Sequence, residues 1–197
     1  MSHPLTGSYR WEDLSAEQFS ILYSRHYDTV FSGGVQFDLT AALSTAEREA
    51  LQPLRATFAN RHTLRIGIFD AEHFVGWHVG VQDTWDRFYM MNSGILPAHQ
   101  GRGIYTALLP VIMRRVREKG FQTIYSRHHA TNSAVLIPKL RAGFVITGFE
   151  LSDQYGMLVH LSYHFNPLRR QALAFRSGER LPDAALRPLL TLEEAQA

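Results

Sequence analysis

Between residues 63 and 96 the chain reads TLRIGIFDAEHFVGWHVGVQDTWDRFYMMNSGIL, three β-rich runs separated by two short turns. The runs cover 63–69, 74–82 and 88–96, with DAEH and DTWD between them. Segments rich in Val, Ile, Phe, Tyr and Trp and bounded by Asp-containing turns read as strands. Turns this short cannot carry a parallel crossover, which needs a dozen or more residues, so the three strands form an antiparallel meander. Any fold open to this chain is built around that meander.

The periodicity on either side is helical. SAEQFSILYSRHYDTVF places Ser15 as an N-cap with Gln18 three residues on, and Phe19, Leu22, Tyr23 and Tyr27 at helical intervals. LSTAEREALQPLRATFAN predicts a second helix, capped by Ser44 or Thr45, with Glu47 in its first turn and Pro53 placed to break or kink it. From residue 103 to 119, Ile104, Leu108, Ile112 and Val116 recur every four residues, with Leu109 and Met113 beside them. Arg114, Arg115, Arg117 and Lys119 crowd the end of that helix, where they suit the negative pole of its dipole, and Gly120 stops it. Pro110 inside it is expected to remove one hydrogen bond and bend the axis.

Downstream, FQTIYSR reads as a strand, NSAVLIPKLRAG as a short helix, and FVITGFEL and GMLVHLSYHF as strands. Two short helices are expected beyond Asn166, around LRRQALAF and DAALRPLLTLEEA. The order is α-α-β-β-β-α-β-α-β-β with a C-terminal helical tail, an α+β (mixed α/β) architecture. The 197 residues suit a single domain with a core over about 61–166, an N-terminal helical segment over 1–60 and a tail over 167–197.

Composition removes several functions. The chain has no cysteine, which excludes disulfides, thiolate nucleophiles and zinc–thiolate sites. Net charge is +2, and the basic clusters MRRVREKG and PLRRQ alternate with apolar residues, as solvated helix faces do, so no nucleic-acid partner is expected. No signal peptide and no run of 18 apolar residues is visible, so no membrane contact is expected and the cytoplasm is the expected location. The helical tail makes a homodimer reasonable.

The meander ends in LPAHQGRGIYTALLP, where a glycine-flanked turn opens straight into a helix. The first N–H groups of a helix lack partners, its dipole is positive there, and Gly101 and Gly103 let an anion reach the backbone. Arg102 adds a charge at the rim. A P-loop requires Gly-Lys-Ser/Thr, which is absent. A dinucleotide turn requires G-x-G-x-x-G within a βαβ unit, and here Thr106 follows the two glycines and a meander precedes them.

The stretch resembles motif A of the GNAT superfamily of acetyl-CoA-dependent N-acetyltransferases: Ile95-Leu96-Pro97, then Gln100-Gly101-Arg102-Gly103-Ile104-Tyr105, then a long helix. ATNSAVLIPKLRAGFVITGFEL is similar to motif B, with Asn132, Ala134, Lys139 and the Gly143-Phe144 pair. The resemblance covers about residues 61–166. It implies acetyl transfer from acetyl-CoA, a co-substrate, to a small-molecule or peptide amine by direct attack on the thioester, with no metal. A catalytically weak GNAT-fold module that binds acyl-CoA as a sensor or interaction partner is the alternative.

By position, the resemblance puts the pyrophosphate of coenzyme A on Gly101, Arg102, Gly103, Tyr105 and Thr106, with Gln100 and Ile104 in the same turn. It puts pantetheine along the backbone of Ile95 and Leu96, with Asn132 and Lys139 completing the cofactor contacts. A backbone N–H near residues 93–95 would polarise the thioester carbonyl. Two positions depart from the family pattern. Tyr105 stands where Gly or Ala is usual. The motif B helix has no tyrosine to serve as the acid: it reads AVLIPKL, with Pro138 near the tyrosine's place and a spacing one residue longer than usual.

No glutamate lies in the second or third run, where a base often sits in the family. A histidine, with an ordinary pKa of about 6.5, suits proton removal at neutral pH. His78, in the second run, is one candidate; His128, beside His129 after TIYSR, is another. Asn92 and Ser93 are polar groups placed to orient substrate or water. Trp77, Trp85, Phe88 and Tyr89 are candidate walls of an acceptor pocket. His160, Ser162 and His164 share one face of the last strand without a carboxylate nearby in sequence, so no metal site is assigned.

Overall fold

The structure, a computed structural model that describes residues 2–31 and 39–189, begins with a hairpin. Its strands are β1 (Ser2–Thr6) and β2 (Tyr9–Asp13). Reading residues 1–60 as helical omits these strands. Gly7 takes a left-handed φ of 54° in the connecting turn. Tyr9 and Trp11 point into the core while Arg10 and Glu12 pair outside at 2.8 Å. Two alternations are too few for a periodicity to stand out.

Two helices follow, α1 (Ala16–Phe31) and α2 (Thr45–Thr57). Both begin with reciprocal caps. Gln18 N–H donates to Ser15 Oγ (3.1 Å) while Ser15 N–H donates to Gln18 Oε1 (2.9 Å). Ser44 and Glu47 repeat the pattern at α2, which settles the choice between Ser44 and Thr45, and the helix runs through Pro53.

The meander is β3 (Thr63–Asp70), β4 (His73–Gln82) and β5 (Arg87–Ile95), within one residue of the sequence boundaries at every end. Helix α3 (Ile104–Glu118) is continuous through Pro110 and buries Ile104, Leu108, Leu109, Ile112 and Val116, one stripe at helical spacing. Then come β6 (Thr123–His129), α4 (Ser133–Arg141), β7 (Val145–Ser152), β8 (Gly156–His164) and α5 (Pro167–Arg176). Of the second tail helix, the described part is a turn and a short 3₁₀ segment, Arg187–Leu189; the remainder lies outside the described residues.

All eight strands form one sheet in the order β1-β2-β3-β4-β5-β6-β8-β7, antiparallel except for β5 with β6. That one parallel pairing is short: Arg87 with Thr123, Phe88 with Ile124, Tyr89 with Tyr125. Beyond Tyr89, β5 continues on β4 and β6 continues on β8, so the sheet splits. A bulge helps turn β5 away. Val79 faces Asn92 and Gly80 faces Met90, which leaves Met91 as the extra residue.

Candidate active site

The split is where the sequence places its chemistry. After β5 the chain makes a short 3₁₀ turn (Pro97–His99) and reaches α3 through Gln100, Gly101, Arg102 and Gly103. Gly101 and Gly103 have φ of 72° and 75°, in the left-handed region that disfavours other residues. A Cβ at either would meet nothing within 4 Å, so the glycines supply conformation and an open approach rather than relief of a clash. No side chain caps α3, and its first backbone bond runs from Ala107 N–H to Gly103 O at 3.0 Å. The N–H groups before Ala107 are therefore left without intrahelical partners.

The turn is fastened from both sides. Gln100 Nε2 donates to Ile95 O (2.9 Å), and Arg102 Nη1 donates to Tyr9 Oη (3.2 Å), which pairs with His99 Nδ1 (3.1 Å). The unforeseen hairpin thus positions Arg102. Ile104 is a core residue, whereas Thr106 is exposed in the first turn.

Beside the turn, a cavity of about 490 Å³ occupies the split. Helix α1 contributes Tyr23, Tyr27 and Phe31; β5 contributes Tyr89 to Ser93; α3 contributes Tyr105. The far wall is Arg127, His128 and His129 of β6, Asn132, Val135 and Lys139 at α4, and Gln154, Tyr155 and Leu158. The sequence candidates Asn92, Ser93, His128, Tyr105, Asn132 and Lys139 therefore meet on one cavity. Ile95, Leu96, Gln100, Gly101, Arg102, Gly103, Ile104 and Thr106 form the adjoining turn rather than its wall. Asn132 starts α4 without capping it, which leaves its amide available at the cavity.

His78 is fully buried behind this wall, with Nδ1 2.8 Å from Ser93 Oγ and Nε2 lacking a hydrogen-bond partner. Of the four aromatic candidates, only Tyr89 lines the cavity. Trp77 and Phe88 are fully buried, and Trp85 is 86% exposed. Trp77 Nε1 donates to Asn92 Oδ1 at 2.8 Å, so Asn92 is held from behind. Sequence reasoning missed the α1 contribution. Tyr23, Tyr27 and Phe31 pack ring against ring, tilted by about 45°, at four-residue intervals, with centroids 5.0 and 4.9 Å apart, and that spacing is equally the signature of a packing face.

The His160, Ser162 and His164 face is satisfied locally. His160 Nε2 lies 2.7 Å from Glu150 Oε2, Ser162 bonds Thr147, and His164 bonds Thr123. Glu150, on β7, also pairs with Arg127 at 3.0 Å, which neutralises the cation at the cavity wall. Hydrogen bonds from His160 and Arg127 hold the Glu150 carboxyl below its ordinary pKa. Among the described residues no three His, Asp or Glu side chains stand close enough to hold a metal, and no helix is long and apolar enough to cross a membrane.

Burial governs the basic groups. It pushes His78 down to about 3, helped by Lys139 nearby, and the same two causes bring His128 to about 3 with His129 adding to them. Burial also holds Lys139 well below the usual lysine range and raises the Tyr105 phenol. For His78 the consequence is a pH dependence of stability. Its folded pKa lies below its unfolded value, so between about 6.5 and 3 the unfolded chain binds a proton that the folded chain does not. Stability is thus present above about 6.5 and falls as pH falls. From pH 7 to pH 5 this one group is expected to remove about 2 kcal/mol. Urea unfolding at both pH values, with His78→Gln alongside, checks this: equal losses in the two proteins would disprove the assignment.

The family model described as the acetyltransferase (GNAT) family matches residues 16–137. No curated protein matches the sequence. Solved structures share the fold. The ribosomal-protein-S18-alanine N-acetyltransferase of Escherichia coli is 14% identical with a TM-score of 0.58, over 80% of this chain and 94% of that one. A ribosomal L7/L12 α-N-protein acetyltransferase, RimL, in complex with coenzyme A is 13% identical with a TM-score of 0.61, over 83% and 98%. The yncA protein of Salmonella typhimurium with its cofactor acetyl-CoA is 14% identical with a TM-score of 0.59, over 82% and 96%.

Proposed function

Given that this chain belongs to the acetyltransferase (GNAT) family, we propose that it moves an acetyl group from acetyl-CoA to a primary amine by direct attack on the thioester. The observation that carries the reading is the junction of an uncapped helix start with a cavity in a split sheet. The first offers bare N–H groups to an anion, and the second offers unpaired strand backbone to an extended chain.

The residues present fit coenzyme A. Gly101 and Gly103 leave open space at the helix start, where the N–H groups around Tyr105 and Thr106 and the charge of Arg102 would hold the pyrophosphate. The backbone at Ile95 and Leu96 and the Asn132 amide would hold the pantetheine arm. The bound group supplies an activated acetyl thioester. Backbone N–H groups over residues 93–95 would meet negative charge developing on the carbonyl oxygen. Ser93, fixed by His78, and Asn92, fixed by Trp77, would orient the amine. The aromatic walls Tyr23, Phe31, Tyr89 and Tyr155 give an arriving amine an apolar enclosure.

The test is release of coenzyme A thiol from acetyl-CoA with a panel of amines: an alanyl peptide, a lysyl peptide, spermidine and tyramine. The peptides are included because two proteins of similar fold act on ribosomal proteins. Amine-dependent release is the expected result. Binding of acetyl-CoA with no release would favour the acyl-CoA sensor, and no binding at submillimolar concentration would end both readings.

A further inference from the structure

Lys139 sits in the last turn of α4, is 0% exposed, and forms part of the cavity wall. Nζ donates to Ser126 Oγ (2.5 Å) and Met90 Sδ (3.3 Å). Among the described residues, no carboxylate forms a salt bridge with it. A buried ammonium without a counter-ion costs several kcal/mol, so the amine is neutral. A neutral amine has two N–H groups and one lone pair. Both hydrogens are engaged, which leaves the lone pair to accept a proton.

Its neighbours set its task. His78 from β4 and His128 from β6 stand beside it, and the titratable groups that share its cavity are Arg127 and His129 from β6, Tyr89 from β5, Tyr105 from α3, Tyr23 and Tyr27 from α1, and Tyr155. Burial keeps both histidines neutral down to about pH 3, too weak as bases to take a proton from an amine at neutral pH. No described carboxylate lines the cavity. Lys139 is the amine on that wall, and burial holds it well below the ordinary lysine range. Ser126 Oγ, which holds Lys139, is also 3.0 Å from His128 Nε2, so the amine has a hydrogen-bonded path along β6.

We propose that Lys139 is the proton carrier of the transfer reaction, taking the proton shed by the acceptor nitrogen and delivering it to sulfur. The inference rests on the transferase reading above. The nitrogen lone pair forms the C–N bond, and the C–S bond breaks with its electron pair remaining on sulfur. The acceptor N–H proton passes to the Lys139 amine and then to the thiolate. The lysine ends neutral, as it began, and the products are the amide and coenzyme A thiol.

The test combines a titration of the wild-type protein with one variant. Lysine ¹⁵Nζ NMR should show Lys139 titrating below 10.4, at the same pH as the acid limb of the kcat profile for the best amine of the panel. Lys139→Met, which removes the amine and keeps an apolar chain of similar length, should melt no lower than wild type. It should lose roughly 10²- to 10⁴-fold in kcat, and lose that limb. The inference is overturned by a Lys139→Met protein that keeps its kcat and profile, by a Lys139 resonance that titrates at the ordinary lysine value, or by acetyl found on Lys139 in peptide mass spectra. Absence of transfer by the wild type would sink the transferase reading and this inference together. Transfer by the wild type with an unchanged variant would sink this inference alone.

Discussion

Trp77→Ala is expected to lower the unfolding free energy by about 3–5 kcal/mol, the range for deleting a large buried aromatic. Trp77 is 0% exposed. It packs against Tyr23 (5.5 Å between centroids) and Phe31 (6.1 Å), so it is part of the surface on which α1 rests. The chain makes room for it: a Cβ at Gly94 would lie 2.5 Å from its ring. Its indole N–H also fixes Asn92. The substitution therefore costs core packing and loosens the cavity wall together. Equilibrium unfolding in urea measures the first and acetyl-CoA turnover the second. Trp85→Ala, at an 86% exposed position, is the control and should change stability by less than about 0.5 kcal/mol. A loss at Trp77 no larger than at Trp85 would refute the packing account.

Gly103→Val should weaken coenzyme A binding about thirtyfold, roughly 2 kcal/mol, the worth of a charge-assisted hydrogen bond set. At φ 75° a β-branched residue strains the backbone by about 1–2 kcal/mol, so stability falls as well. No protein atom lies within 4 Å of the new Cβ, so an affinity loss cannot come from crowding inside the fold. It would come from a helix start that no longer presents its N–H groups to the anion. Calorimetric titration with coenzyme A reads the outcome. Unchanged affinity in a destabilised protein would mean that the glycine serves the turn alone.

What was legible in the sequence follows from how local each signal is. The meander and α3 were read to within a residue or so because long runs repeat one period many times. The Ser15–Gln18 and Ser44–Glu47 caps were readable because a cap is a contact three residues apart. The β1–β2 hairpin was not, since it buries Tyr9 and Trp11 with Leu5 half-buried beside them, and gains its stability from pairing with β3, more than fifty residues away. The cofactor turn was legible because backbone conformation there demands glycine. The wall of the cavity was not. It is assembled from α1, β5, α3, β6, α4, the β7–β8 turn and β8, and an aromatic stripe facing a cavity looks the same in sequence as one facing a core. His78 shows the limit from the other side: the residue type was right for a base, but its burial and its bond to Ser93 are tertiary facts.

The short pairing of β5 with β6 also gives the molecule leverage. Two halves of a sheet are joined at three successive residue pairs at one end, and the opening lies at the other. That junction is stiffened by stacked rings, Tyr89 on Tyr125 at 5.0 Å, with the Arg87 guanidinium 4.4 Å from the Tyr125 centroid. A small rotation about such a junction is multiplied with distance along the strands, so the spacing between Ser93 on one arm and His128 on the other is set by packing several residues from either. The side chains that tune the width of the opening need never touch what enters it.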